Sequence, residues 1–78
     1  MYTDAMRRAF HSITPPKGFS VVVIDNEHFI TVRASEKQFF SLSGDDKLKA
    51  VEYMVRVKNA LEDNGAIVML VREGGAEQ

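Results

Sequence analysis

Ser43-GDDKLKAVEYMVRVKNALEDNGAIVMLV-Arg72 reads as a capped helix, a stop and a strand, and it decides the fold class of this chain. Ser43 has a hydroxyl suited to accept from an amide three positions on, with Asp46 there to complete a capping-box-like start. Asp45 and Asp46 put negative charge where the free N–H groups of a first turn favour it. Apolar residues then recur at helical spacing from Leu48 to Leu61, and Asn64-Gly65 supplies the left-handed residue that ends a helix. Ala66 to Val71 is an unbroken apolar run bounded by that stop, which predicts a strand.

The helix carries more apolar surface than one small sheet covers. Ala50, Met54, Val57 and Leu61 mark one apolar line, and Leu48, Val51 and Val55 mark another. The polar arc of Lys49, Glu52, Arg56, Asn59 and Asp63 is narrow. Two apolar lines imply two contacts, one with the chain's own sheet and one with a first helix or a partner.

Upstream, Thr3 caps an expected helix from Asp4 to about Ser12, with Met6, Ala9, Phe10 and Ile13 on one stripe. Thr14-Pro15-Pro16 ends it, because proline lacks an amide donor and disfavours helical geometry in the residue before it. Gly18 to Ile24 is apolar on both alternating faces and predicts a strand covered on both sides. Asp25-Asn26 supplies turn chemistry, and Phe29 to Ala34 follows as a second strand with Ile30, Val32 and Ala34 on one face. Ser35-Glu36-Lys37 is then expected to turn the chain into a short third strand, Gln38 to Leu42.

The expected architecture is therefore α+β, in the order α-β-β-β-α-β. A right-handed crossover through the long helix lays the last strand parallel to the first, giving a four-stranded mixed sheet of order 3-2-1-4 with two helices. Strand one is central in that arrangement and Ala66 to Arg72 forms an apolar edge. Residues 1–78 make a single domain, with 73–78 as a flexible tail.

With 45% hydrophobic and 27% charged residues, the composition is that of a folded globular chain. Ten Lys and Arg against eleven Asp and Glu leave a formal charge of -1, so no strong field draws in polyanions. The absence of cysteine removes disulfides, zinc–thiolate sites and thiol catalysis together. Met1 to Ile13 has no signal-like apolar core and no run reaches membrane-spanning length, so a cytoplasmic protein is expected.

Chemistry-bearing constellations are sparse. Asp25, Glu27 and His28 share a turn without an evident fourth ligand, and adjacent His11 and Ser12 point different ways on a helix. Asp45 and Asp46 are accounted for by the helix start, and Gly74-Gly75 opens no helix, so no nucleotide motif is formed. A non-catalytic chain without metal or cofactor is expected. A small enzyme or ligand binder with its site built across a dimer is a secondary alternative.

The α-β-β-β-α order, with Lys47 and Lys49 at the start of the second long helix, resembles that of double-stranded-RNA-binding domains. The family's glycine-proline-histidine loop is missing, Asp45 and Asp46 stand where it has lysines, and a further strand follows. That resemblance implies nucleic-acid binding. A separate route to it is a sheet face on which Phe29, Arg33 and Phe39 stack bases, supported by Arg7, Arg8 and Lys17.

The broad helix and the apolar edge favour a protein-interaction module instead, expected as a homodimer that binds another protein. Tyr53, Met54, Val57, Leu61, Ile67, Met69 and Val71 are its expected contact residues. Small cysteine-free chains of this kind are frequent among phage and mobile-element accessory proteins that bind and inhibit a host protein, and that class is the expected one.

Overall fold

The computed structural model describes residues 1–73, and the remainder of the expected tail, 74–78, lies outside them. The elements run α1 (Asp4–His11), β1 (Val21–Asp25), β2 (Ile30–Ser35), α2 (Glu36–Phe40), α3 (Gly44–Asp63) and β3 (Val68–Glu73). The fold is α+β, with one three-stranded mixed sheet and three helices. The strand order is β1-β2-β3, with β1 antiparallel and β3 parallel to β2.

Four expectations are corrected. Gln38 to Leu42 is not a strand, because α2 occupies Glu36–Phe40. The Ser35 hydroxyl accepts from the Gln38 amide at 3.2 Å, so Ser35-Glu36-Lys37-Gln38 starts a helix by the serine-x-x-glutamine pattern of a capping box. The four-stranded 3-2-1-4 sheet fails for the same reason. With no third strand beside β2, that edge is open, and α3 carries the chain back to lay β3 there. The shared element order with double-stranded-RNA-binding domains fails with it. Finally, Glu73 is not part of a tail but ends β3, in register with Ser35.

The remaining local readings have visible causes. Thr3 Oγ1 accepts from the Met6 amide at 3.1 Å and Ser43 Oγ from the Asp46 amide at 3.4 Å, which caps α1 and α3. Asn64 Nδ2 donates to the Ala60 carbonyl at 2.8 Å, and Gly65 at φ +98° turns the chain out of α3. Between β1 and β2, Asp25 Oδ1 accepts from the Glu27 amide and Asn26 donates to the Phe29 carbonyl, holding Glu27 at φ +76°.

The hydrophobic core lies on one side of the sheet. Ile30, Val32 and Ala34 of β2 face Met6 of α1 and Ala50, Tyr53, Val57 and Leu61 of α3, closed by Phe19 and Ala66. Phe19 stands edge-on to Tyr53 and to Phe39, each with ring centroids 6.3 Å apart. The central strand is thus β2, whose burial alternates, and not β1. The apolar residues of β1 are double-sided because one of their faces is left bare, not because both are covered.

Candidate functional site

Register assigns every sheet residue to a face. Val22 and Ile24 of β1 pair with Arg33 and Thr31 of β2, which in turn pair with Val71 and Met69 of β3. Paired residues point the same way. Two rows therefore cross the face away from the helices: Ile24-Thr31-Met69 and Val22-Arg33-Val71. Asn26 Nδ2 donates to Thr31 Oγ1 at 2.6 Å, and Ile24, Thr31 and Arg33 are half-buried, while Val22, Met69 and Val71 are exposed. Ile67 is 66% exposed, Met69 52% and Val22 49%. The shortest Cα dimension of the molecule is 13 Å, enough for one helix layer on one sheet and no third layer. Arg33 Nε lies 3.7 Å from a Glu73 carboxylate oxygen, making an ion pair at one end of this otherwise apolar face.

A second apolar feature opens on the helix side along β3. A groove of about 260 Å³ has Phe39, Phe40, Met54 and Leu70 as walls. Arg72 and Glu36, paired at 3.0 Å, stand at its rim. Arg72 and Leu70 share the helix side with Ala34 and Val32, their partners in β2. Above the groove, Val51 and Val55 of α3 remain exposed, as does Phe40, over whose ring the Lys47 ammonium sits at 5.8 Å.

The seven expected contact residues divide between core and surface. Tyr53, Val57 and Leu61 are buried under α3, where burial also raises the Tyr53 phenol above its ordinary pKa. They belong to the core and present no surface. Met54 lines the groove, while Ile67, Met69 and Val71 are exposed. Met1, Val22, Phe40, Leu48, Val51, Val55 and Leu70 are the other large apolar side chains exposed among the described residues. Val22 was hidden from sequence reasoning by the assumption that strand one is covered on both sides.

The residues expected for nucleic acid are not gathered. Phe39 packs against Phe19 on the helix side, whereas Arg33 points to the opposite face, so no stacking platform joins them. Arg7 pairs with Asp4 at 3.6 Å on α1, Arg8 and Lys17 are exposed, and Phe29 is half-buried at the entry to β2.

Catalytic constellations are equally dispersed. Ser12 Oγ donates to the Ala9 carbonyl at 2.7 Å, and the His11 ring lies against Phe10. Asp25 accepts from the Met1 ammonium at 2.7 and 2.9 Å and from the Tyr2 amide at 3.0 Å, interactions that lower its pKa to about 2. Its neighbours Glu27 and His28 are exposed and 4.0 Å from each other. No group of three or more metal-ligating side chains is assembled among the described residues.

A more polar hollow of about 220 Å³ lies between α3 and the Thr14-Pro15-Pro16 segment, lined by Lys49, Glu52 and Arg56. It brings no nucleophile to a base. No helix among the described residues is long and apolar enough to cross a membrane. No family model matches the chain, and no curated protein or solved structure matches it either.

Proposed function

We propose that this chain is a non-catalytic module that binds another protein on the open face of its sheet. The observation that carries the reading is that the core and its helices lie on one side, leaving Val22, Met69 and Val71 exposed on the other. An apolar patch of this kind on so small a domain marks an interaction site. The natural complement to a bare sheet face is an amphipathic helix, since that is how the other face of this same sheet is covered. The partner therefore presents an apolar helical stripe, with a polar group placed to meet the Arg33–Glu73 pair. Occupying a partner's surface requires no catalytic group, which suits an accessory protein that inhibits a host factor by binding it.

The test is capture of the tagged chain's partner from native extract, with and without nuclease, for the native protein and for Met69→Asp. A stoichiometric protein that survives nuclease and is lost with Met69→Asp supports the reading, provided the variant keeps the native circular dichroism. Retention that depends on intact nucleic acid, or a partner bound equally well by Met69→Asp, overturns it.

A further inference from the structure

We infer that β3 pairs antiparallel with β3 of a second copy, joining two sheets into one of order β1-β2-β3-β3-β2-β1 with the two α3 helices side by side above the seam. This seam is separate from the open sheet face, which stays free in the pair and becomes twice as wide.

Among the described residues, β3 hydrogen-bonds a strand on one side only, β2. Exposed edges are ordinarily blunted by charge, proline or a bulge, yet Val68 to Val71 is apolar throughout. The opposite edge, β1, carries side-chain contacts only at its ends: the Ser20 amide donates to Gln38 Oε1 just before it, and the Asp25 carboxylate holds the Met1 ammonium and the Tyr2 amide. β3 is the edge beside which the groove and the exposed flank of α3 open, and that makes it the template for another strand.

Antiparallel neighbours related by a two-fold axis keep their faces, so both helical layers fall on the same side. The groove then becomes the interior of the seam. Met54 stands in that groove with Leu70 and Val71, placing the middle of α3 over the middle of β3. One axis therefore serves both elements. On α3, Lys47, Val51, Met54, Lys58 and Glu62 follow one another at spacings of three and four and share the flank toward β3. Lys47 and Glu62 lie at opposite ends of this flank, where Glu62 pairs with Lys58 of its own chain at 2.9 Å, and an antiparallel second helix brings Lys47 of one copy to the Glu62 carboxylate of the other, twice. A parallel arrangement sets like against like. The flank is self-complementary in charge only under the two-fold that β3 pairing creates.

Phe40, Val51, Val55 and Leu70 are 64%, 43%, 45% and 46% exposed. At ~150–250 Å² for an aromatic side chain, Phe40 alone offers about 100–160 Å² of apolar surface per copy. The three aliphatic side chains, the β3 backbone and the charged ends of the flank add to it, giving an apolar centre with a polar rim.

Sedimentation equilibrium of the full chain, with concentration raised to the order of 500 µM, reads the pairing directly. The expected result is twice the 8.8 kDa chain mass, with Leu70→Glu weakening the dimer at least about tenfold. Lys47→Glu alone also weakens it, and the double variant Lys47→Glu with Glu62→Lys restores it. Amide exchange gives a second readout: β3 amides that point away from β2 are protected in the native protein and exposed in Leu70→Glu, while α1 and β2 remain protected in both. A chain-mass species at the highest concentration overturns the inference. So does a dimer unaffected by Leu70→Glu, or a double variant no better than Lys47→Glu alone. Met69→Asp leaves the dimer intact, so loss of the partner and loss of the seam are told apart.

Discussion

Leu61 and Ile67 are six positions apart in sequence and nearly as different as two apolar side chains can be in surroundings. Leu61 is fully buried under α3 against the sheet, whereas Ile67 is 66% exposed on the way into β3. Leu61→Ala removes three buried carbons, which at ~0.8 kcal/mol each costs about 2.4 kcal/mol before any cavity remains. The unfilled space raises this toward ~5 kcal/mol if the helix cannot settle onto β2. A domain of this length has a total stability of roughly 4–12 kcal/mol, so the loss is a large share of the whole. Ile67→Ala, by contrast, removes little buried surface and should change stability by about 0.5 kcal/mol or less. Urea denaturation at one fixed protein concentration measures both. With a slope of ~1–3 kcal/mol/M, Leu61→Ala should move the midpoint by about 0.8 M or more and Ile67→Ala by a few tenths. Equal shifts would refute the packing of α3 described above, because they require Leu61 and Ile67 to sit in similar surroundings.

Ser35→Ala should destabilise by ~0.5–2 kcal/mol in the same assay, since it removes the acceptor for the Gln38 amide at the start of α2; no change would mean that the cap does not hold this helix. Gly65→Ala meets no atom within 4 Å, so its cost is that of forcing a Cβ into φ +98°, ~1–2 kcal/mol, and a stabilised variant would show that the turn out of α3 is drawn wrongly. Asp25 has its carboxyl lowered to about 2 by the Met1 ammonium and by the Tyr2 and Glu27 amides, so the carboxylate form is favoured by folding. Its contribution is complete above the ordinary value of 3.8 and is lost as pH falls through about 2. Stability of Asp25→Asn should therefore fall less steeply than that of the native protein between those limits, and parallel acid profiles would count against the clip.

The legible parts of this fold were those with a local cause. Thr3, Ser43 and Asn64-Gly65 set the ends of α1 and α3, and the alternation of Ile30, Val32 and Ala34 identifies the buried face of β2. α2 was harder because Gln38 to Leu42 carries Phe39 and Phe40, which favour strands, while the helix depends on one side-chain hydrogen bond from Ser35. That single element then decides which edge of β2 is free, so a short local error becomes an error of sheet order. The contact residues on α3 were hard for another reason. Helical spacing shows two apolar lines but does not say which faces the sheet. Phe19 resolves it, because its ring stands edge-on to Tyr53 and draws that side of α3 inward, leaving Met54 at the groove and Val51 and Val55 outside.

The surplus apolar surface of α3 and the unguarded edge of β3 have one origin. Three strands are too few to lie beneath three helices and close both edges, and α1 packs beside α3 on the side away from the groove. Among the described residues three gaps fall on this one side: a strand next to β3, a helix next to α3, and a wall opposite Phe40. A two-fold copy supplies all three with residues already present, because the element that is missing at each place is the same element. A different protein would have to bring a strand, a helix and a charge pattern that match independently. The open sheet face makes no such self-referring demand, since its exposed Val22, Met69 and Val71 ask only for an apolar stripe. The seam thus answers to a second copy, and the open face to another protein.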